Sequence, residues 1–234
     1  MMNSMPIVLT APELQAIEGL RVRQSGLPAD LLEALEEQFR QTRILLTRVA
    51  EGAHDRLYES QLALMGILNR THELLLGGVR QITYGNRHVW GACLRGLIET
   101  FGALAWVSDN PVRLPALVQG NGINIGKLVN AAYKRLQDLK AEYKRLSSWV
   151  HPESRSLLLG LRLIEETQSL AIFAVPAPDL SADEAQAAVE RLLAACWLIH
   201  QDVQALLDSY PGIIGSGKLV AQIVCRGHPP HDVC

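Results

Sequence analysis

The stretch KLVNAAYKRLQDLKAEYKRLSSWVHP, from Lys127 to Pro152, decides how the chain folds. Its positions Val129, Ala132, Leu136, Leu139, Tyr143, Leu146 and Val150 alternate spacings of three and four, the period that turns one stripe of an α-helix toward a neighbour. One helix over residues 127–150 is therefore predicted, with that stripe in a bundle seam. At about 100° per residue, Ser147 lies about 40° from Tyr143, so both hydroxyls flank the buried stripe. His151 continues the line, but Pro152 follows it and disfavours helical backbone at the residue before it. Carbonyl dipoles at the helix end favour the charged form of such a histidine.

The helical period extends outward in both directions. Thr10 with Glu13 fits a capping box for a short helix, which Gly26-Leu27-Pro28 interrupts. Long runs follow at about 29–51 and 55–84, the second ended by Gly85-Asn86, then one at 87–108 closed by Asp109-Asn110-Pro111. A loop rich in glycine and asparagine at 120–126 leads into the 127–150 helix. Ser181 with Glu184 caps a last helix that reaches Ser209 and stops at Pro211. Between them, apolar runs at 157–164 and 170–175 flank Glu165-Glu-Thr-Gln168, which reads as a β-hairpin, although the leucine-rich 157–163 also suits a helix.

The expected fold class is mainly α: an antiparallel helical bundle with one small β-hairpin inserted before the last helix. Its organisation reads as an N-terminal arm with a short helix over 1–27, a bundle domain over 28–210 with the hairpin at 157–175, and a flexible tail over 211–234. At 234 residues and 48% hydrophobic content, the chain can build one sizeable core. A net charge of −2 shows no general basic excess for nucleic-acid binding. Four scattered cysteines form no secreted disulfide framework, and Arg95 and Glu99 interrupt the most apolar run. A cytoplasmic protein with no membrane partner is expected.

Polar groups gather on two of these helices. On the 87–108 helix, Trp90, Cys93, Leu94, Leu97, Ile98, Phe101, Leu104 and Ala105 form the main apolar arc, and His88, Arg95, Glu99 and Trp106 occupy the other side. Gly91, Ala92, Gly102 and Ala103 sit beside the charges, which implies that another element packs closely there. Arg95 and Glu99 are i, i+4 neighbours and can pair along the helix with donors to spare. Arg95, Glu99, Tyr143, Ser147 and His151 are thus expected to meet between the two helices, either as a ligand pocket or as a satisfied polar network that fixes their docking.

Arg95-Gly-Leu-Ile-Glu99, followed by Tyr143-Lys-Arg-Leu-Ser147-Ser-Trp-Val-His151-Pro152, resembles a group of bacterial helical proteins of uncharacterised domain type. Their pattern is R-x-x-x-E, then Y-x-x-L-S-x-x-V-H-P, and they are similar to the wider HEPN-like superfamily. The resemblance covers about residues 60–210. It implies an all-helical core, a homodimer and an RNA-associated or defence-related role. Many HEPN proteins are metal-independent ribonucleases with R-x(4–6)-H near a helix end, so the resemblance casts Arg145 and His151 as a catalytic pair. The histidine would move a proton of a ribose 2′-hydroxyl or leaving oxygen, and the arginine would stabilise charge on phosphate.

The position after the arginine, usually polar in active HEPN motifs, is here the seam residue Leu146. Arg145 also projects about 140° from the seam centre on a regular helix, which reads as a solvated arginine unless a dimer covers that face. The alternative function is a non-catalytic bundle for protein contacts or small ligands.

Other motifs carry less. Gly212-Ile-Ile-Gly-Ser-Gly217-Lys218 spells G-x-x-x-x-G-K, but Leu219 replaces the required hydroxyl residue, so no nucleotide cofactor is expected. Gly120-Asn-Gly122-Ile-Asn-Ile-Gly126 lacks dinucleotide spacing. Cys225, His228, His231 and Cys234 are potential soft-metal ligands, but the segment is too short and proline-rich to wrap one ion readily. A lone Glu51-x-x-His54 makes no di-iron site. Neither a resident metal nor another cofactor is expected.

Overall fold

Most helix ends fall where local chemistry predicts them. The structure, a computed structural model, describes residues 7–52, 56–119, 123–150, 161–164, 169–172, 180–210 and 212–222. Its helices are α1 (Ala11–Arg23), α2 (Ala29–Glu51), α3 (Glu59–Thr83), α4 (Arg87–Ser108), α5 (Ile125–Arg135), α6 (Leu139–Val150) and α7 (Ala182–Ser209), with a 3-10 segment at Pro111–Leu117. At the start of α7, Ser181 and Glu184 each accept the other's backbone N–H, at 3.2 and 3.0 Å, satisfying donors that a bare helix start leaves open. Gly85 closes α3 at φ +68°, a conformation that only glycine adopts without strain.

The architecture is a mainly helical antiparallel bundle with a small antiparallel hairpin before α7. In the hairpin, β2 (Leu161–Ile164) pairs with β3 (Ser169–Ile172), Leu161 opposite Ile172 and Ile164 opposite Ser169. The second strand thus begins one residue earlier than expected and its described part ends at Ile172.

Helix α4 is the central rod, with α3, α5, α6 and α7 all packed on it. Its Trp90, Leu94, Leu97, Ile98, Phe101, Leu104 and Val107 are all buried, the pattern of a helix apolar on nearly every side. Phe39 of α2, Leu75 of α3, Leu146 of α6 and Leu192 of α7 join the same core. Each such side chain contributes roughly 1.5–3 kcal/mol when fully removed from water. No helix among the described residues is long and apolar enough to cross a membrane.

Four expectations about organisation change. The helix predicted over 127–150 is two helices, because Leu136 turns to an extended conformation at φ −139°, ψ 97° and ends α5. The carbonyl of Asp138 then accepts the Glu142 N–H as α6 begins, and aspartate is a favoured residue at a helix start. Leu136, predicted in the seam, is 38% exposed.

The run predicted from residue 55 is helical only from Glu59, because β1 (Arg56–Tyr58) pairs antiparallel with β4 (Leu219–Gln222). Residues 212–222, expected in a flexible tail, therefore pack on the bundle. Ile213 and Ile214 are buried, and the Ser60 hydroxyl donates toward the carbonyls of Ile214 and Ser216, each at 2.7 Å. The G-x-x-x-x-G-K segment leads into β4 and not into a helix, so it lacks the geometry of a phosphate loop.

The short helix α1 is likewise no separate arm. It packs on α3, buries Ile17 and Leu20, and sends the buried Glu13 carboxylate to Arg43 of α2, with His72 Nδ1 at 3.5 Å.

One buried histidine ties α7 to α2. His200 is 4% exposed, with Nε2 2.9 Å from the Thr42 hydroxyl and Nδ1 2.9 Å from Gln38 Oε1. Burial pushes its pKa down to about 4. Unfolding returns it to about 6.5, so the unfolded chain binds the extra proton as pH falls between those values. This residue should contribute about 3 kcal/mol above pH 6.5 that is lost by pH 4. Urea melts of wild type and His200→Asn from pH 7.5 to 4 test this: the stability gap between them should narrow across that window, and a constant gap would refute it.

Candidate functional site

Glycines on α4 set how closely the neighbouring helices approach. A Cβ at Gly91 would lie 2.9 Å from Trp149 Cε3, and one at Gly102 would collide with the Leu128 carbonyl oxygen. The first holds the end of α6 against α4, and the second lets the α5 backbone touch α4. The small residues beside the α4 charges thus do mark close packing. Trp149 meets Trp90 edge to face, with ring centroids 5.5 Å apart, an arrangement aromatic quadrupoles favour.

Between these contacts, Arg95, Glu99 and Tyr143 form a closed triangle. Arg95 Nε–H lies 3.1 Å from Glu99 Oε1 and 3.3 Å from the Tyr143 hydroxyl, which donates to the same Oε1 at 2.9 Å. The guanidinium also stands over the Tyr143 ring, 5.1 Å from its centroid. Arg70 of α3 approaches Glu99 Oε2 at 3.7 Å and donates to Thr100 Oγ1 at 3.2 Å. The carboxylate therefore has a partner on each oxygen.

The Arg95 and Glu99 side chains are 20% and 16% exposed. This is too dry for a freely solvated pair and too wet for a fully desolvated one. Burial opposes the Arg95 charge, but Tyr143 and Glu99 outweigh it and raise its pKa. Burial, and then the hydrogen bond to Glu99, raise that of Tyr143, which stays a neutral donor.

The remaining predicted residues are placed differently. Ser147 is half-buried one turn beyond Tyr143 and makes no side-chain hydrogen bond among the described residues. His151 lies outside the described residues, as do Cys225, His228, His231 and Cys234. Among the described residues no three histidine, cysteine or acidic side chains are grouped to hold a metal ion. Cys93 and Cys196 sit on packed faces, where burial pushes both thiols up.

Arg145 does not point into open solvent, as a regular 127–150 helix implied. It donates to both Glu142 oxygens at 2.9 and 2.5 Å and lies 4.6 Å from the Trp149 ring centroid. It lines a cleft of 390 Å³ between α6 and α7, with Arg87 and Trp90 of α4, and with Arg191, Asp183 and the Arg87-paired Glu184 of α7. Arg191 Nε is 3.7 Å from the same Glu142 Oε1 that Arg145 uses, so two guanidiniums share one carboxylate. His88 Nδ1 of α4 reaches the Trp149 carbonyl at 3.0 Å and occupies an open acceptor at the end of α6.

Sequence reading did not identify Arg191, and it put His88 on the polar side of its helix without a partner, because both roles depend on long-range packing. It also passed over a local signal. Of the chain's five lysines, Lys127, Lys134, Lys140 and Lys144 fall within eighteen residues, and three of them line one hollow.

The triangle makes a measurable prediction. Tyr143→Phe should cost about 1 kcal/mol, the usual net value of one hydrogen bond, and Glu99→Gln somewhat more because Arg95 and Arg70 lose a counter-charge. In a double-mutant cycle by urea melts the two should couple by about 0.5–1.5 kcal/mol, since they share one bond. Strict additivity would mean the hydroxyl and carboxylate do not act on each other. Comparison of the chain with protein-family models, curated proteins and solved structures returns no match.

Proposed function

We propose that this chain is an RNA-associated helical-bundle protein, similar to bacterial HEPN-like proteins and suited to a regulatory or defence-related role. It would present the end of α6 to a phosphodiester. The observation that carries this reading is the shared carboxylate: Arg145 and Arg191 both turn to Glu142 in an open cleft. A second anion there would take up guanidinium donors that one carboxylate does not fill, and planar guanidinium suits phosphate well. His151 follows Arg145 by six residues, the spacing of the ribonuclease pair in the family it resembles.

In that chemistry, His151 accepts the proton of a ribose 2′-hydroxyl as its oxygen attacks phosphorus. The 5′-oxygen leaves and takes up a proton, and Arg145 offsets the charge on the non-bridging oxygens. The Arg95–Glu99–Tyr143 triangle acts one step back as a positioning network, holding α6 at a fixed height on α4.

A second reading, a binding bundle without catalysis, draws on the same cleft. Arg145 is already engaged by Glu142 and Trp149, and such an arginine can hold phosphate without participating in bond cleavage.

Purified wild type, His151→Ala and Arg145→Ala incubated with total RNA under chelator separate these readings. Chelator-resistant cleavage by wild type, reduced at least about a hundredfold in His151→Ala, is the ribonuclease outcome. Gel retardation without cleavage, weakened in Arg145→Ala, is the binding outcome. Neither cleavage nor retardation in any of the three would remove the RNA reading.

A further inference from the structure

We propose that the hollow formed by α5, the start of α6 and the end of α4 is a second site, for the sugar-phosphate backbone of single-stranded RNA. This rests on the RNA reading for the identity of the polymer, and on nothing about His151. The hollow measures 810 Å³, and Arg113, Lys127, Lys134 and Lys140 line it against one acid, Asp109. None of these four cations has an acidic partner within ion-pair distance among the described residues. Most arginines nearby are paired, Arg135 with Asp202 and Arg145 with Glu142 among them. In a chain of net charge −2, four unneutralised cations around one concavity form a local anion attractor.

The placement also runs against helix stability. Lys127 lies in the first turn of α5, which has no acidic residue, and Lys140 lies in the first turn of α6 beside Glu142. Backbone dipoles make a helix start positive, so a lysine there is unfavourable by a few tenths of a kcal/mol or more. Stability alone would select aspartate or glutamate. A polyanion gains from the lysines and from the positive end of each helix dipole.

Aromatic groups in the hollow favour RNA over an acidic peptide. Trp106 and Tyr133 line it, and the Arg113 guanidinium lies over the Trp106 ring, 5.1 Å from the centroid. Unpaired bases stack on such aromatic and guanidinium planes, which carboxylate side chains cannot do.

Fluorescence anisotropy with a labelled twelve-nucleotide single-stranded RNA tests the site at several KCl concentrations. Four neutralised phosphates give a slope of about −3 in log affinity against log salt, or about fiftyfold weakening from 50 to 200 mM. The variant Lys127→Gln/Lys134→Gln/Lys140→Gln should retain the wild-type circular dichroism and melting, bind at least about tenfold more weakly at 50 mM, and lose about two units of slope. Lys140→Gln alone should lose about 0.7 of a unit.

RNA binding with unchanged affinity and slope in the triple variant would overturn this site while leaving the α6–α7 cleft reading intact. Competition by polyglutamate as effective as by RNA would assign the hollow to acidic polypeptides and overturn it as well. No binding of RNA by wild type would end both readings. Cleavage is not part of the readout, so a chain that binds without cutting still supports the hollow.

Discussion

Close approach to α4 is the constraint on which the rest of the molecule depends. Glycine at 91 and 102 removes the Cβ atoms that would meet the Trp149 ring and the Leu128 carbonyl, so the Trp149 side chain of α6 and the backbone of α5 both settle directly on α4. That placement brings Tyr143 within reach of Arg95 and Glu99 and puts Trp149 beside Trp90. Because interiors pack near crystal density, a methyl group at either point has nowhere to go without moving a whole helix. The polar triangle follows from this packing. Its bonds then fix the rotation of α6, which an apolar contact alone leaves less specified.

The distribution of ion pairs divides the molecule into regions of different purpose. Glu13 with Arg43 and Asp202 with Arg135 pin α1 to α2 and α5 to α7, and Arg48 reaches Asp208 from α2 to α7. The first and last join helices that already pack on each other, so they specify geometry more than they add stability, whereas Arg135–Asp202 bridges helices with little other contact. The cleft beside α6 differs because two of its arginines, Arg145 and Arg191, share the one carboxylate of Glu142. The hollow on α5 differs further, since its four cations face one acid, Asp109, and none of them is ion-paired among the described residues. Charge that serves only folding is normally paired or spread over the surface. Charge that is concentrated and not ion-paired attracts anions.

Much of the fold was legible because helix period and caps are local. The Ser181–Glu184 box, Gly85 and the Asp109-Asn110-Pro111 stop all mark real ends. The meeting of Arg95, Glu99 and Tyr143 was also legible, since spacing placed all three on facing stripes. What escaped was non-local. Nothing near Arg56 announces a strand, because its partner lies at Gln222. The burial of Ile213 and Ile214 was hidden behind a glycine-rich composition that resembles a loose tail. Arg145 was placed outward because helix geometry gives a direction but not what stands in that direction, and Arg191 of α7 stands there.

The break at Leu136 shows why the largest local error falls at the most charged surface. On one straight helix, Lys134 lies about 20° from Lys127, whereas Lys140 lies about 140° away and faces another side. Turning the chain at Leu136 and restarting it at Leu139 carries Lys140 back to the hollow that Lys127 and Lys134 line. The seam positions remain compatible with an unbroken helix, and Leu136 itself gives up burial to make the turn. An exposed leucine and lysines at two helix starts are each mildly unfavourable. Local rules broken together at one place are what a binding surface, selected for its charge and shape, imposes on a fold.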